Sequence, residues 1–386
     1  MGVYEKKELC SGCEACAQKC PQKCIELKMD CEGFRYPVID ESRCIHCKLC
    51  VEICPISNAR LKDREFERKV YAAYDVDVDG RKKASSGGVF GLLANQILEQ
   101  GGVVFGAAFS EDYKKVQHVV VTSKNELSRL FGAKYVQSEI GDAYIQAQNY
   151  LEQGRVVLFS GTPCQIGGLQ AFLGKQYEHL LCVDIICHGV PSPKVWELWL
   201  SHYEVEQKAK IVKVDFRDKT AGWQKNVCHL IFDNANEIRA NNKQELYVLN
   251  FIKNNTLRPS CYACSFKGME RDSDITLGDF WGIEKVVPEM DADYGVSALV
   301  IHSAKGEDYL HQTEQKMCIK EVKEKDILQY NSMITESVPI SNKRSYVMAN
   351  LEEESIHKIL KKAVKISFMK RCVIKITSIV RGLRNN

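Results

Sequence analysis

Two stretches of this sequence repeat one cysteine spacing, and that repeat limits the possible folds more than any other feature. The first is Cys10-Ser-Gly-Cys13-Glu-Ala-Cys16-Ala-Gln-Lys-Cys20-Pro21; the second is Cys44-Ile-His-Cys47-Lys-Leu-Cys50-Val-Glu-Ile-Cys54-Pro55. Both read C-x2-C-x2-C-x3-C-P, the run that holds 4Fe–4S clusters. Three closely spaced thiolates curl the backbone round three corners of one cubane, and the fourth cysteine points away to the neighbouring cluster. The crossed assignment puts Cys10, Cys13, Cys16 and Cys54 on one 4Fe–4S cluster and Cys44, Cys47, Cys50 and Cys20 on a second. Tetrahedral zinc also accepts C-x2-C pairs, but it would not need this spacing twice with proline after each fourth cysteine. Cys24 and Cys31 lie outside the spacing and read as small buried or surface thiols, and His46 as a surface side chain.

The run is that of bacterial two-cluster ferredoxins, so residues 1–60 are expected to form an α+β ferredoxin-like domain. Ten of the 18 cysteines fall between Cys10 and Cys54. The N-terminus, Met1-Gly2-Val3-Tyr4-Glu5-Lys6, has no apolar signal core, and no run of about 18 uncharged apolar residues suggests a membrane span. A cytoplasmic location is therefore expected, where many cysteines serve metal or redox chemistry rather than disulfides.

A polar, charged stretch over 61–70 reads as a linker. Beyond it, 71–340 reads as an α/β domain with a mixed sheet. Strands are expected over 70–74, 103–109, 156–160 and 180–187, and helices over 88–99, 142–153 and after Pro193. After about Ile211 the pattern turns antiparallel, through Phe216, 228–232 and 275–277. Net charge is +3, yet 355–386 holds nine Lys or Arg and no Asp or Glu, so the body is mildly acidic. That distribution argues against a nucleic-acid surface. The segment 341–386 reads as a basic amphipathic helical tail, with Ile356, Ile359, Leu360, Val364, Phe368, Val373 and Ile376 at helical spacing. It either packs on the body with a solvated basic face or makes a peripheral contact with a membrane or an acidic partner.

A second set of cysteines lies outside the doubled motif. Cys164 follows the strand over 156–160, Cys187 ends the next strand, and Cys261-Tyr-Ala-Cys264 is a chelating pair. Strand ends of this kind are where open α/β sheets place their sites. Spacing alone leaves two readings: a further 4Fe–4S cluster, or buried cysteines beside a redox-active pair.

Six ordered motifs resolve into a resemblance. Ser85-Ser86-Gly87-Gly88-Val89, Gly132-Ala133-Lys134-Tyr135-Val136-Gln137-Ser138, Gly161-Thr162-Pro163-Cys164-Gln165, Cys187-His188-Gly189-Val190-Pro191-Ser192, Ser260-Cys261-Tyr262-Ala263-Cys264 and Gly278-Asp279-Phe280-Trp281-Gly282 follow one another. From about Val70 to about Lys320 the chain resembles the beta subunits of hydrogenases and dehydrogenases that use the deazaflavin coenzyme F-420. One departure is Ala133, where many members carry Ser or Thr. The resemblance implies an iron–sulfur flavoprotein that binds FAD, with Cys164, Cys187, Cys261 and Cys264 holding a third 4Fe–4S cluster beside the flavin. A flavin bridges two-electron hydride donors and one-electron clusters.

Given FAD, Ser85, Ser86, Gly87 and Gly88, opening a helix, offer a pyrophosphate cradle, or else an ordinary cap. Lys134, with Tyr135 and Gln137, supplies a cation for the reduced flavin or stays a solvated loop lysine. Asp279 hydrogen-bonds a cofactor ring or caps a turn, and His188 is a proton donor or a structural histidine. No general acid or base is assigned. The expected activity is an oxidoreductase passing electrons between a hydride-type or organic substrate, coenzyme F-420 among the candidates, and a redox partner protein or carrier. The alternative is a non-catalytic electron-transfer subunit of a larger redox complex.

Overall fold

Short, nearly continuous apolar runs, such as Leu180–Ile185 and Ser297–Ile301, can be strands only where both faces of a sheet are covered. The computed structural model describes residues 6–57, 66–290 and 293–365. Its strands in chain order are β1 (Ile25–Met29), β2 (Arg35–Ile39), β3 (Lys69–Asp75), β4 (Val103–Phe109), β5 (Val116–Val121), β6 (Val157–Gly161) and β7 (Leu180–Ile185). They continue as β8 (Ile211–Asp218), β9 (Val227–Phe232), β10 (Glu237–Asn241), β11 (Ile275–Asp279), β12 (Ser297–Ile301) and β13 (Met317–Glu321).

Eight strands form one mixed sheet in the order β13-β3-β12-β11-β7-β6-β4-β5. Its middle, β11-β7-β6-β4, is parallel, and antiparallel neighbours close both sides. Alternate residues serve opposite faces. Val104, Leu158 and Leu181 pack under the helix Val89–Glu99, while Val103, Phe159 and Cys182 pack under the helices Ala143–Glu152 and Pro163–Leu173. A second, antiparallel sheet, β10-β9-β8, packs with the helix Pro193–Gln207.

The antiparallel expectation after Ile211 holds for β8 to β10. At 275–277 it holds on one side only: β11 lies in the large sheet, antiparallel to β12 and parallel to β7. Strands β5, β12 and β13 lie outside the strands expected from the sequence.

The cysteine-rich segment is packed into the rest of the chain. Phe34 and Tyr36 share a core cluster with Trp196 and Trp199, and Ala15 shares another with Tyr144 and Ile166. Over its described residues the tail follows the first of its two readings and packs on the body. The helix Ile356–Val364 buries Ile356, Ile359, Leu360 and Ala363 in the first of those clusters, so residues up to 365 complete the body. Phe368, Val373 and Ile376 lie outside the described residues. Among the described residues no helix is long and apolar enough to cross a membrane.

Candidate redox site

The two cysteine loops share a backbone conformation. Gly12 and His46, at equivalent positions before the second cysteine, have φ of 71° and 52°. Glu14 and Lys48, at equivalent positions before the third, have 63° and 61° and open the short helices Ala15–Lys19 and Leu49–Glu52. Three of the four carry side chains, for which the left-handed region costs roughly 1–2 kcal/mol each. Alternating left- and right-handed residues turn successive N–H groups inward, the concavity that anions and iron–sulfur clusters occupy. Zinc is disfavoured by the sulfur spacing. A tetrahedral ion with Zn–S of about 2.3 Å needs sulfurs about 3.8 Å apart. Among the described residues the one set of three such ligand atoms within 4.8 Å is Glu41, Cys44 and His46. The loops fit clusters.

The second set of thiols converges as well. Cys164, Cys187, Cys261 and Cys264 line one cleft. Cys164 lies in the first turn of the helix Pro163–Leu173, where the helix dipole favours a thiolate, and its Sγ is 3.1 Å from Thr162 Oγ1. Cys187 follows β7; Cys261 and Cys264 sit in and just after the turn Pro259–Ala263. Burial pushes the thiols of Cys164, Cys187 and Cys261 up to about 12, with each other's charges adding to the rise. Four half-buried thiols converging on one cleft suit a site where a cationic iron core draws off the protons.

Leu9 and Ser11, from the first cysteine loop, and Ile56, directly after the second, line the same cleft. Cys13 lies against Gly168 of the Cys164 helix, and Gln137 Nε2 donates to the Ser11 carbonyl at 3.4 Å. Gln137 thus sits at the junction of the two cysteine sets, apart from the other flavin candidates.

Those others form a separate group at the carboxyl ends of β3 and β11. Asp279 pairs with Arg217 at 2.7 Å and accepts from Trp223 Nε1 at 3.2 Å, and Trp223 stacks on Trp281 at 4.8 Å. Arg217 also faces Tyr135, whose ring packs on Phe216 and Phe251. Lys219 donates to the carbonyls of Ser86, Arg81 and Tyr294. Lys134 donates to the carbonyls of Phe131 and Gly132 at 2.8 and 3.1 Å. Burial pushes both ammonium groups down to about 7, against the pull of Asp215 and, for Lys219, Asp279.

The glycine turn is tightly built. A Cβ on Gly87 would lie 2.5 Å from the Ala73 carbonyl oxygen, and the Gly87 N–H donates to Ser297 Oγ at 3.0 Å. The Ser86 hydroxyl donates to the Val296 carbonyl at 2.9 Å. Gly88, at φ 91°, caps the helix Val89–Glu99, and its carbonyl accepts from the N–H groups of Gly91 and Leu92 at 2.9 and 3.4 Å; the N–H groups of Val89 and Phe90 precede the intrahelical ladder. Ser85 is half-buried beside them. His188 Nε2 donates to Asn254 Oδ1 at 2.7 Å, and the ring packs edge-on to Phe251, a structural setting.

Arg217 and Lys219 were not singled out from the sequence. Their signal is Phe216-Arg217-Asp218-Lys219 at a strand end, a run of charge where the strand should stay half-apolar. Arg217 Nη2 is buried without a hydrogen-bond partner. An orphaned donor beside Asp279, Tyr135 and two stacked tryptophans fits a planar, carbonyl-bearing or anionic group.

The fold and the thiols define a 4Fe–4S electron-transfer protein of oxidoreductase type. Comparison with known families specifies it further. The family model for the C terminus of the coenzyme F420 hydrogenase/dehydrogenase beta subunit matches residues 154–327, and the model for its N-terminal part matches 70–143. A 4Fe-4S dicluster domain matches 9–58. The chain belongs to the coenzyme F420 hydrogenase/dehydrogenase beta-subunit family, with a dicluster domain in front.

Among curated proteins it is similar to the coenzyme F420-dependent sulfite reductase of Methanocaldococcus jannaschii, at 26% identity over 194 residues, 48% of this chain and 29% of that protein. It is also similar to NADH-quinone oxidoreductase subunit I 2 of Geobacter metallireducens, at 37% identity over 78 residues, 19% of this chain and 59% of that one. The chain spans less than two thirds of the length of either relative. A chain of the F420-reducing NiFe hydrogenase complex from Methanosarcina barkeri aligns with a TM-score of 0.44 and 17% identity, covering 78% of this chain and 94% of that chain.

Proposed function

We propose that this chain is an iron–sulfur flavoprotein oxidoreductase that moves electrons between a hydride-type or organic substrate at FAD and three 4Fe–4S clusters, then to a partner carrier in the cytoplasm. The observation that carries this reading is the shared cleft. Two thiols that follow central strands and two in and just after the turn Pro259–Ala263 line one cleft with Leu9 and Ser11 of the first cysteine loop, so the two cysteine sets meet without an intervening domain. Cys164, Cys187, Cys261 and Cys264 would hold the third cluster. Lys134, Tyr135, Arg217 and Asp279 would hold the flavin ring, with Arg217 supplying its unpartnered donor. Ser85 and the first turn of the helix Val89–Glu99 would face the pyrophosphate; the groups of Ser86 and Gly87 already bonded within the turn would shape it.

FAD, when bound, accepts a hydride and passes electrons on singly. Arg217 and Lys134 would stabilise negative charge on the ring, and Trp223 and Trp281 would exclude water from the Asp279 side. The family points to coenzyme F420 as the hydride donor or acceptor. The test is turnover by the isolated, anaerobic chain with reduced coenzyme F420 and an artificial one-electron acceptor. Catalytic acceptor reduction is expected. Cluster reduction without turnover, across a panel of organic and hydride substrates, would make the chain a non-catalytic carrier.

A further inference from the structure

Arg258 is 1% exposed. A guanidinium so buried needs a counter-charge, because desolvating an unpaired ion costs several kcal/mol. Its polar contacts are to uncharged groups or sulfur. Nε donates to the Cys10 carbonyl at 2.8 Å, Nη1 to Gln137 Oε1 at 3.1 Å, and Nη2 to the Arg35 carbonyl at 3.1 Å and to Cys10 Sγ at 3.7 Å. The carboxylates of Glu14 and Glu139 nearby pair with Arg35 instead. Tyr36 and Phe34 flank the cation, their ring centres 4.2 and 5.5 Å from Cζ.

The position of Arg258 explains what the counter-charge is. Its own backbone N–H donates to Val190, three residues beyond Cys187, and it directly precedes the turn carrying Cys261. From that wall of the cleft its side chain reaches across to the first cysteine loop. Gly12 lies so close that a Cβ there would be 2.7 Å from Nη1.

We propose that Arg258 is the counter-cation at the junction of the Cys10-Cys13-Cys16-Cys54 cluster and the cleft thiols, and that its charge raises the reduction potential there. Charge and hydrogen bonds to cluster sulfurs are among the protein's levers on potential. Arg258 is a positioning and tuning residue and touches no substrate. The part concerning the cleft thiols rests on the third-cluster reading; the part concerning the Cys10 cluster does not.

The test is a potentiometric titration, read by electron paramagnetic resonance, of anaerobically purified full-length wild type, Arg258→Gln and Arg258→Lys, with iron counted on each sample. In Arg258→Gln the ratio of reduced to oxidised Cys10 cluster at a fixed solution potential should fall about tenfold, or about 59 mV for a one-electron couple. In Arg258→Lys, which keeps the charge, it should fall much less. Equal falls in both variants, or none in either, overturn the proposal. If Arg258→Gln loses iron, Gln137→Glu decides: a carboxylate against the guanidinium should lower the ratio, and an unchanged ratio overturns the proposal. A wild-type count of about eight irons instead of about twelve refutes the third cluster and leaves the Cys10 shift as the test.

Discussion

Cys13 rests directly on Gly168: a Cβ on that glycine would lie 2.8 Å from Cys13 Cβ and 3.1 Å from its Sγ. The first cysteine loop and the helix carrying Cys164 are therefore in van der Waals contact, with Cys13 half-buried between them. Gly168→Ala has nowhere to put its methyl, since Tyr144 Oη would also be 2.8 Å away. Overpacking of this kind costs about 1–3 kcal/mol. The variant should melt earlier and lose part of its iron, while Gly101→Ala, set in open space but strained by its φ of 75°, should melt earlier yet keep its iron. Iron-to-protein ratios and melting curves check both.

Cys164→Ser and Cys261→Ser should each lower the iron content from about twelve to about eight per chain, the loss of one 4Fe–4S cluster. Cys182→Ser should not, because Cys182 lies within β7 and its sulfur accepts from Gln170. Iron and sulfide assays on anaerobic samples distinguish the three.

Lys134 titrates near 7 in the folded chain and near the ordinary lysine value of 10.5 when unfolded. Between those values the unfolded chain binds more protons, so the flavin-free protein gains stability as pH rises from 7 and loses that gain as pH falls back through 7. Binding of an anionic flavin runs the other way, since it needs the proton. The FAD dissociation constant should rise between pH 7 and 8.5, by at most about tenfold per pH unit for one coupled proton. Lys134→Met should flatten that dependence, as read by flavin fluorescence.

The Arg217–Asp279 pair is nearly dry, with side-chain exposures of 5% and 16%. Asp279→Asn leaves the guanidinium uncompensated and should cost about 3 kcal/mol or more. Adding Arg217→Met should recover part of that loss. Anaerobic urea titrations of the two single variants and the double variant give the coupling.

Leu360→Ala should destabilise by about 2–5 kcal/mol, because Leu360 is fully buried in the core. Truncation from Ser355 should therefore unfold the chain, whereas truncation after Lys365 should leave cluster content intact. The second cut, assayed on anionic liposomes, isolates any membrane role of the basic segment beyond it.

The cysteine loops were legible because metal ligation ties residue type to spacing. Gly12, Glu14, His46 and Lys48 then take the conformation that the spacing demands. Cys164 and Cys187 were legible as strand-end residues, but their meeting with Cys261 and Cys264 came through the resemblance, since no spacing rule links positions so far apart. Arg217, Lys219 and Arg258 were not found because each acts through a partner distant in sequence: Asp279, Ser86 and Cys10. The helix Ile356–Val364 was read from its periodicity, but its burial depended on Trp199 and Tyr247, to which the pattern gives no pointer.

Iron, sulfide and flavin counted on one anaerobically purified sample test the central claim most directly. The account predicts about twelve irons and one FAD per chain. About eight irons and no flavin would contradict it, leaving a two-cluster electron carrier attached to an α/β body without a redox site of its own.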